Sequence, residues 1–298
     1  MILVTGATGF LGGHLVPRLV GAGHKVRCLV RPRSDTSRFA GAPVQVAHGD
    51  IADQQSVERA AAGAQTLIHL VGIIRERGEV TFERLHTEAT RNVVQASRAQ
   101  SVKRFIYVSA VGAAQDAASR YHQTKWHAEQ QVRESGLQYL ILRPSIICGQ
   151  GDGFVSLLVQ MLSKQPVFPI LGSGEYRLQP VWVSDLHACI LKALAGADVW
   201  NRTYEIGGPQ ALTFNEMVEQ IMEVSGIRRR TVHMPLWLMR PAVAMLQHLP
   251  GFPLTSEQLL MMQQENVCDI APMRRDFGIE PLPFRQVIET YLPGVISP

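Results

Sequence analysis

The residues that most constrain this chain stand at its start, where an apolar tetrapeptide runs straight into a glycine-rich turn. Ile2-Leu3-Val4-Thr5 reads as a buried strand, and Gly6-Ala7-Thr8-Gly9-Phe10-Leu11-Gly12 follows with no spacer, ahead of a helical pattern over His14–Ala22. Glycine answers three needs in such a turn: the chain bends tightly, its backbone approaches a diphosphate closely, and the helix packs near the strand. N–H groups at the helix start, together with the positive end of its dipole, then hold phosphate charge. Glycines also mark ordinary turns. What gives this run its weight is its place between a strand and a helix at the head of an alternating chain. Gly6, Thr8, Gly9, Phe10, Leu11 and Gly12 are therefore candidate cofactor-binding residues.

Short β-rich apolar runs alternate with longer helical patterns through the first half. Ile2–Thr5, Lys25–Val30, Val44–His48, Thr66–Val71, Arg104–Val108 and Tyr139–Arg143 read as strands. His14–Ala22, Gln54–Ala62, Phe82–Gln100 and Ser119–Ser135 carry apolar residues three and four apart and read as helices. Gly23 and Gly136 follow two of them where a left-handed residue is wanted. Repeated strand–helix–strand units predict an α/β fold of Rossmann type, a doubly wound parallel sheet with ligands at the carboxyl ends of its strands. After Arg143 the pattern loosens, and Gly149, Gly151 and Gly153 suggest a flexible passage. Leu178–Val183 reads as a strand feeding a helix near Asp185, and Thr203–Ile206 as another strand. Thr213-x-x-Glu216 opens a helix through Val224, and Thr255-x-x-Gln258 one through about Glu265. The expected organisation is a dinucleotide-binding domain over 1–150, with elements near 176–208 returning to it, and a smaller substrate- or partner-binding lobe over 151–298.

The second strand separates the two nicotinamide cofactors. An NAD site places an acid about twenty residues past the glycines, on the ribose 2′-hydroxyl. Here the strand ends in Arg31, Arg33 follows, and the first acid is Asp35. Guanidinium forks match a 2′-phosphate, so NADP(H) is favoured over NAD(H), the alternative being plain surface arginines in a loop. Asp50, with Ile51 in His48-Gly49-Asp50-Ile51, sits where a carboxylate accepts from the adenine amino group, or else caps a turn.

Composition bounds the rest. Hydrophobic residues make up 46% and charged ones 18%, which suits a chain with a substantial core, and a net charge of +4 is scattered rather than clustered. Arg228-Arg229-Arg230 reads as a solvated helix end or turn, so no nucleic-acid partner is expected. Cys28, Cys148, Cys189 and Cys268 are far apart, which argues against zinc and against a disulfide scaffold, and no metal site is expected. His86, His122 and His127 lack metal spacing and read as surface or satisfied polar residues. A strand at residue 2 leaves no room for a targeting peptide, and no apolar run is long enough to span a bilayer. Both point to a cytoplasmic protein, at most peripheral at the cytoplasmic membrane face. The segment Met234–Pro253 is apolar on several sides, and is either a helix buried in the chain's own core or an interfacial one.

Taken together, the glycine spacing, His48-Gly49-Asp50, His69-Leu70-Val71-Gly72, Asn92, Tyr121-x-x-x-Lys125 and Arg143-Pro144-Ser145 resemble the extended and atypical short-chain dehydrogenase/reductase superfamily, including its NAD-dependent epimerase/dehydratase-like members. Within it, Leu70–Ile74, Tyr121–Trp126, Gln179–Val183 and Glu265–Asp269 look most like the branch holding the nucleotide-binding accessory subunit of respiratory complex I and its bacterial relatives. The resemblance implies that Leu70, Val71, Gly72, Pro144 and Ser145 line the cofactor. It also implies that Tyr121 is the acid/base and that Lys125 holds the nicotinamide ribose. Four residues apart on a helix, the two share a face. A phenol titrates near 10, and bringing it to about 7.5 takes roughly 3.4 kcal/mol, which a neighbouring ammonium is expected to help supply. Asn92 either supports the pair through a water or is a plain polar helix position. The family's Ser or Thr past the fifth strand is replaced by Ala110, with Ser109 one residue early, which weakens stabilisation of a developing oxyanion. Two functions stay open: NADP(H)-dependent hydride transfer to or from a carbonyl or alcohol of unidentified substrate, or an NADPH-holding accessory or assembly protein of a respiratory, ubiquinone-linked or quinone-handling complex.

Overall fold

The computed structural model describes every residue except 248, 250, 251, 253, 263 and 296–298. In chain order the first part runs β1 (Ile2–Thr5), α1 (Phe10–Gly21), β2 (Val26–Val30), β3 (Val44–His48), α2 (Gln54–Ala61), β4 (Thr66–His69), α3 (Ala89–Ala99), β5 (Arg104–Val108), α4 (Arg120–Arg133) and β6 (Gln138–Pro144). There follow β7 (Ile147–Cys148), α5 (Val155–Lys164), β8 (Val167–Leu171), β9 (Arg177–Leu178), β10 (Val181–Trp182), α6 (Val183–Leu194), β11 (Arg202–Ile206), β12 (Leu212–Thr213), α7 (Phe214–Ser225) and β13 (Arg230–Met234). The last elements are α8 (Leu236–Leu246), α9 (Ser256–Met262), α10 (Ala271–Phe277), α11 (Phe284–Glu289) and α12 (Leu292–Val295).

Seven strands form the central sheet in the order β11-β6-β5-β4-β1-β2-β3, and the pairings from β6 across to β3 are parallel. The expected Rossmann-type α/β fold is what forms. Its order reverses between β1 and β4, so a crevice opens there at the carboxyl ends of the strands. All four residues of β1 and of β4 are buried, as strands covered on both faces must be. One compact unit comprises Met1–Arg143, His187–Glu205 and Pro272–Gly278, and the other Pro144–Leu186, Ile206–Ala271 and Ile279–Pro298.

Within the first unit, Glu129 of α4 is fully buried and accepts a two-pronged ion pair from Arg143 at 2.8 and 2.7 Å, while Arg133 reaches it at 2.7 Å. In the second, the passage expected to be flexible is organised by Asp152. Its carboxylate accepts from the amides of Gly149, Phe154, Val155 and Ser156 and from the Tyr291 hydroxyl. The capping box at Thr213 and Glu216 forms as expected and starts α7.

Four expectations need correction. Leu178–Val183 is not one strand: Leu178 pairs antiparallel with β12, Val181 and Trp182 pair parallel with β7, and Gln179-Pro180 separates them. Proline cannot donate to a ladder, and that break gives each half its own partner. The helix expected over Phe82–Gln100 begins instead as a π-helical turn, Glu83–Glu88. The helix opened by Thr255 stops at Met262. Finally, Arg228-Arg229-Arg230 leads out of α7 into a strand, because Arg230 starts β13 beside β8. The segment 234–253 forms α8, of which only Val243 is buried; His248, Pro250, Gly251 and Pro253 lie outside the described residues.

Removing the carboxylate from Glu129 strands two guanidinium groups against the core. Glu129→Ala is expected to lower the unfolding free energy by about 3–5 kcal/mol, read from urea titrations. An unchanged urea midpoint would show that Glu129 is not a structural tie.

Candidate functional site

The glycine turn is built as a cradle. Gly6 adopts φ +78, a conformation side chains resist, and a Cβ on it would lie 3.1 Å from both the Leu70 carbonyl carbon and the Val71 nitrogen. The loops after β1 and β4 therefore touch, and Leu70 N–H donates to Thr5 O at 3.1 Å to fix them. A Cβ on Gly12 would come within 2.4 Å of Gly6 O, so the first turn of α1 sits directly on the loop. Gly9 caps α1 without a side chain, and no acid occupies the first turn. These features fit a diphosphate, which has only backbone N–H groups and a helix dipole to meet. Thr8 is half-buried within the turn, and Phe10 packs edge-on against His14 at 5.3 Å.

Arg31 and Arg33 lie exposed just past β2. A third cation, missed in the sequence, is closer to the cradle. Arg38 donates to Gly9 O at 3.3 Å, and a Cβ on Gly13 would strike its guanidinium. The only hint was a third arginine in the loop that holds the other two. Asp35 folds that loop by accepting from Ser37 N–H at 2.8 Å.

At the end of β3, Asp50 Oδ1 accepts from Ala52 N–H at 2.9 Å, the turn-capping bond, and Ile51 is buried. Asn92 is not with the Tyr–Lys pair. Its amide donates to Ile51 O and Ala52 O at 3.2 and 3.1 Å, pinning this loop to α3. A Cβ on Gly49 would be 2.7 Å from that of Ser56, so glycine lets α2 close on the same loop.

Ser119 caps α4, which carries Tyr121 and Lys125. Lys125 is buried and donates to Val108 O, at the end of β5, at 3.0 Å. Its ammonium also lies 5.1 Å from the Tyr107 ring centre, and a Cβ on Gly72 would be 3.1 Å from Nζ. Burial brings Lys125 down to about 8, with Glu129 pulling partly the other way. Tyr121 is half-buried, its ring edge-on to His86 at 5.4 Å and to His122 at 5.1 Å. The expected lowering of its hydroxyl is not found. Burial pushes Tyr121 up to about 12, because desolvation disfavours the phenolate.

His86, on the π-helical turn, belongs to this cluster. Its Nε2 accepts from Ile73 N–H at 3.1 Å, and its Nδ1 meets the Thr124 hydroxyl at 3.0 Å, so it ties the loop after β4 to α4. Such turns often lie at functional sites, but no sequence period announces them. Below it, His69 bridges the Thr5 and Thr90 hydroxyls at 2.6 and 3.2 Å. Ser109 follows β5, its amide donating to Leu142 O and its buried hydroxyl without a partner among the described residues, while Ala110 is buried. Pro144 ends β6 in the second unit, where the Ser145 hydroxyl donates to Asn266. His127 is exposed, and no cluster of metal-binding residues occurs among the described residues.

Known proteins resemble this chain along most of its length. Residues 6–157 match the NAD(P)H-binding family, and residues 112–249 match the RmlD substrate binding domain. A protein named ceramide reductase, from Caulobacter vibrioides, is 32% identical over 243 residues, 79% of this chain and 74% of that one. The mitochondrial NADH dehydrogenase [ubiquinone] 1 alpha subcomplex subunit 9 of Arabidopsis thaliana is 31% identical over 274 residues, 88% and 68% of the two. A UDP-glucose 4-epimerase structure from Thermotoga maritima superposes with a TM-score of 0.79 over 99% of each chain at 21% identity, a likeness of fold.

Burial keeps four histidines neutral: His69 and His187 are drawn down to about 3, His122 to about 4, and His86 well below its ordinary value. Unfolded, each titrates near 6.5, so below that pH the unfolded chain binds more protons than the folded one. Stability present above pH 6.5 is therefore lost as pH falls, by about 1 kcal/mol per histidine between pH 6.5 and 5.5. Urea midpoints at pH 7.5 and 5.5 check this, and equal midpoints would contradict it.

Proposed function

The chain belongs to the NAD(P)H-binding family, within the extended short-chain dehydrogenase/reductase superfamily, and on that footing we propose that it is an NADP(H)-dependent reductase of a carbonyl compound. The observation that carries the reading is the juxtaposition, at the carboxyl ends of β1, β4 and β5, of the glycine cradle and the buried Lys125, with the Leu70–Gly72 loop touching both. Bound there, the cofactor supplies a hydride to the carbonyl carbon. Gly6, Gly9 and Gly12 let its diphosphate approach the backbone, Arg38 stands beside that charge, and Arg31 and Arg33 answer the 2′-phosphate. Asp50 and Ile51 border the adenine, and Leu70–Gly72 the nicotinamide ribose.

Tyr121 gives its proton to the carbonyl oxygen as the alcohol forms. A phenol is protonated at neutral pH, as the acid of a reduction must be at the outset, and burial holds Tyr121 further in that form. Lys125 holds the ribose hydroxyls and stabilises the phenolate until solvent reprotonates it. Ser109, whose buried hydroxyl has no described partner, is the nearest replacement for the oxygen that Ala110 lacks. The relative named ceramide reductase makes lipid carbonyls the first substrates to try. Ala110 and the likeness to a respiratory-complex subunit favour a second reading, an accessory protein that holds NADPH for a quinone-handling assembly.

Calorimetry is expected to show tighter binding of NADPH than NADH. Arg31→Asp should reverse that preference, whereas Arg38→Ala should weaken both cofactors by about 1.5–3 kcal/mol. Tighter binding of NADH by the wild type would refute the selectivity. With a confirmed carbonyl substrate, Tyr121→Phe should cost at least ~100-fold in kcat. Bound NADPH that no carbonyl or quinone oxidises selects the accessory reading.

A further inference from the structure

Tyr121 stands between two buried imidazoles. His86 meets the phenol ring edge-on at 5.4 Å and His122 does so at 5.1 Å, while Phe82, stacked on His86 at 5.5 Å, approaches Tyr121 edge-on at 5.8 Å. Buried ring nitrogens need hydrogen-bond partners, and here those partners lie on different elements. From the loop after β4, a one-way chain of hydrogen bonds runs to the backbone of Tyr121 itself. Ile73 N–H can only donate, and His86 Nε2 accepts it at 3.1 Å, which leaves the proton of the neutral ring on Nδ1. Nδ1–H then donates to the Thr124 hydroxyl at 3.0 Å. That hydroxyl donates in turn to the carbonyl of Tyr121 at 3.0 Å or of Arg120 at 2.9 Å.

Gly72, beside Ile73, fixes the place of this chain within the site. A Cβ on it would be 3.1 Å from Lys125 Nζ and 3.7 Å from His86 Nε2, so the same loop is held against both groups. On the other side, His122 links the start of α4 to the loop after β5. Its Nδ1 meets the Ser119 hydroxyl at 2.8 Å, and its ring also bonds the Val111 backbone. The loop comes this close because residue 112 is glycine: a Cβ there would lie 3.2 Å from His122 Nε2. Burial keeps both rings neutral, so each retains one donor and one acceptor.

We propose that His86 and His122 are positioning residues for Tyr121, tying α4 to the loops after β4 and β5 so that the phenol is held in register with the carboxyl ends of both strands. That Tyr121 delivers a proton rests on the reductase reading. The tie itself does not, and it is tested on the free protein without cofactor or turnover.

His86→Phe keeps a ring and removes both hydrogen bonds, whereas His86→Gln keeps an acceptor for Ile73 N–H and loses the ring. Thr124→Val breaks the chain one link later at nearly constant volume, and decides the matter if His86→Phe fails to fold. Hydrogen exchange at the Ile73 amide is followed by NMR. The state of Tyr121 is followed in protein isotope-labelled at tyrosine Cζ, its signal identified by its loss in Tyr121→Phe. Exchange at Ile73 should quicken about tenfold in His86→Phe and in Thr124→Val, with the Tyr121 signal displaced in both. His86→Gln should stay close to the wild type in both readings. His122→Phe should displace the Tyr121 signal and leave Ile73 exchange alone. Wild-type exchange and an unmoved Tyr121 signal in these variants overturn the proposal. So does the reverse order, with His86→Gln disturbed and His86→Phe not, which reduces the imidazole to a filler of space. With a confirmed carbonyl substrate, Thr124→Val should lower kcat about tenfold at unchanged KM. A wild type that reduces no carbonyl refutes the reductase reading, while the two NMR readings still decide the tie.

Discussion

The contact between the Gly6 turn and the Leu70–Val71 peptide governs the candidate site, because it brings the carboxyl ends of β1 and β4 together at the point where the strand order reverses. A side chain at Gly6 would meet backbone on the far side, 3.1 Å away, where nothing yields. Everything placed on those loops inherits the spacing. The first turn of α1 stands over the cradle because Gly12 removes the last obstacle, and Gly72, next along the second loop, leaves just enough room for Lys125. The site is thus a consequence of close backbone approach, and side-chain chemistry is added to it afterwards.

Beneath the loops the polar groups are organised so that one charge stands without a counter-charge beside it. His69 and His86 are buried, neutral and bonded to threonine hydroxyls or backbone, and Lys125 disfavours protonation of both. The ammonium itself is kept by a carbonyl and an aromatic face instead of a carboxylate, with Glu129 a turn away and engaged by two arginines. A weakly neutralised cation in a dry setting acts strongly on any negative charge that develops nearby. That is the electrostatic requirement for a phenol to lose its proton late, during reaction, while keeping it at rest.

How much of this was legible follows from which physical rules are local. The strands of the sheet, the capping residues and the glycine cradle were readable, since each depends on a run of a few residues: Ile2–Thr5 by apolarity, Thr213 with Glu216 by spacing, Gly6–Gly12 by conformation. Arg38 was not, because its approach to Gly9 is set by how the Asp35–Ser37 turn folds. The place of Asn92 on the Ile51 loop depends on tertiary packing, and so does the division of residues 177–183 between two partners. The direction of the Tyr121 shift was missed for a related reason. An i,i+4 lysine is visible in a sequence, whereas the depth to which both groups are buried is not.

The two functional readings differ over one missing oxygen. A hydroxyl at Ala110 would help hold a carbonyl oxygen as charge develops on it; its absence leaves Tyr121 as the donor named for that atom. A donor that remains protonated at neutral pH is adequate for delivering a proton, and a reduction demands that of it, whereas an oxidation would demand that it begin as the base. Burial keeps Tyr121 protonated at rest in either reading, so the direction of its shift separates neither reduction from oxidation nor an enzyme from a holder of NADPH. In a protein that only holds the cofactor, Lys125 still meets a ribose, while nothing requires the Tyr121 hydroxyl to be protonated or even present. For that reason the phenol, and not the lysine, is the group on which the choice between the two readings turns.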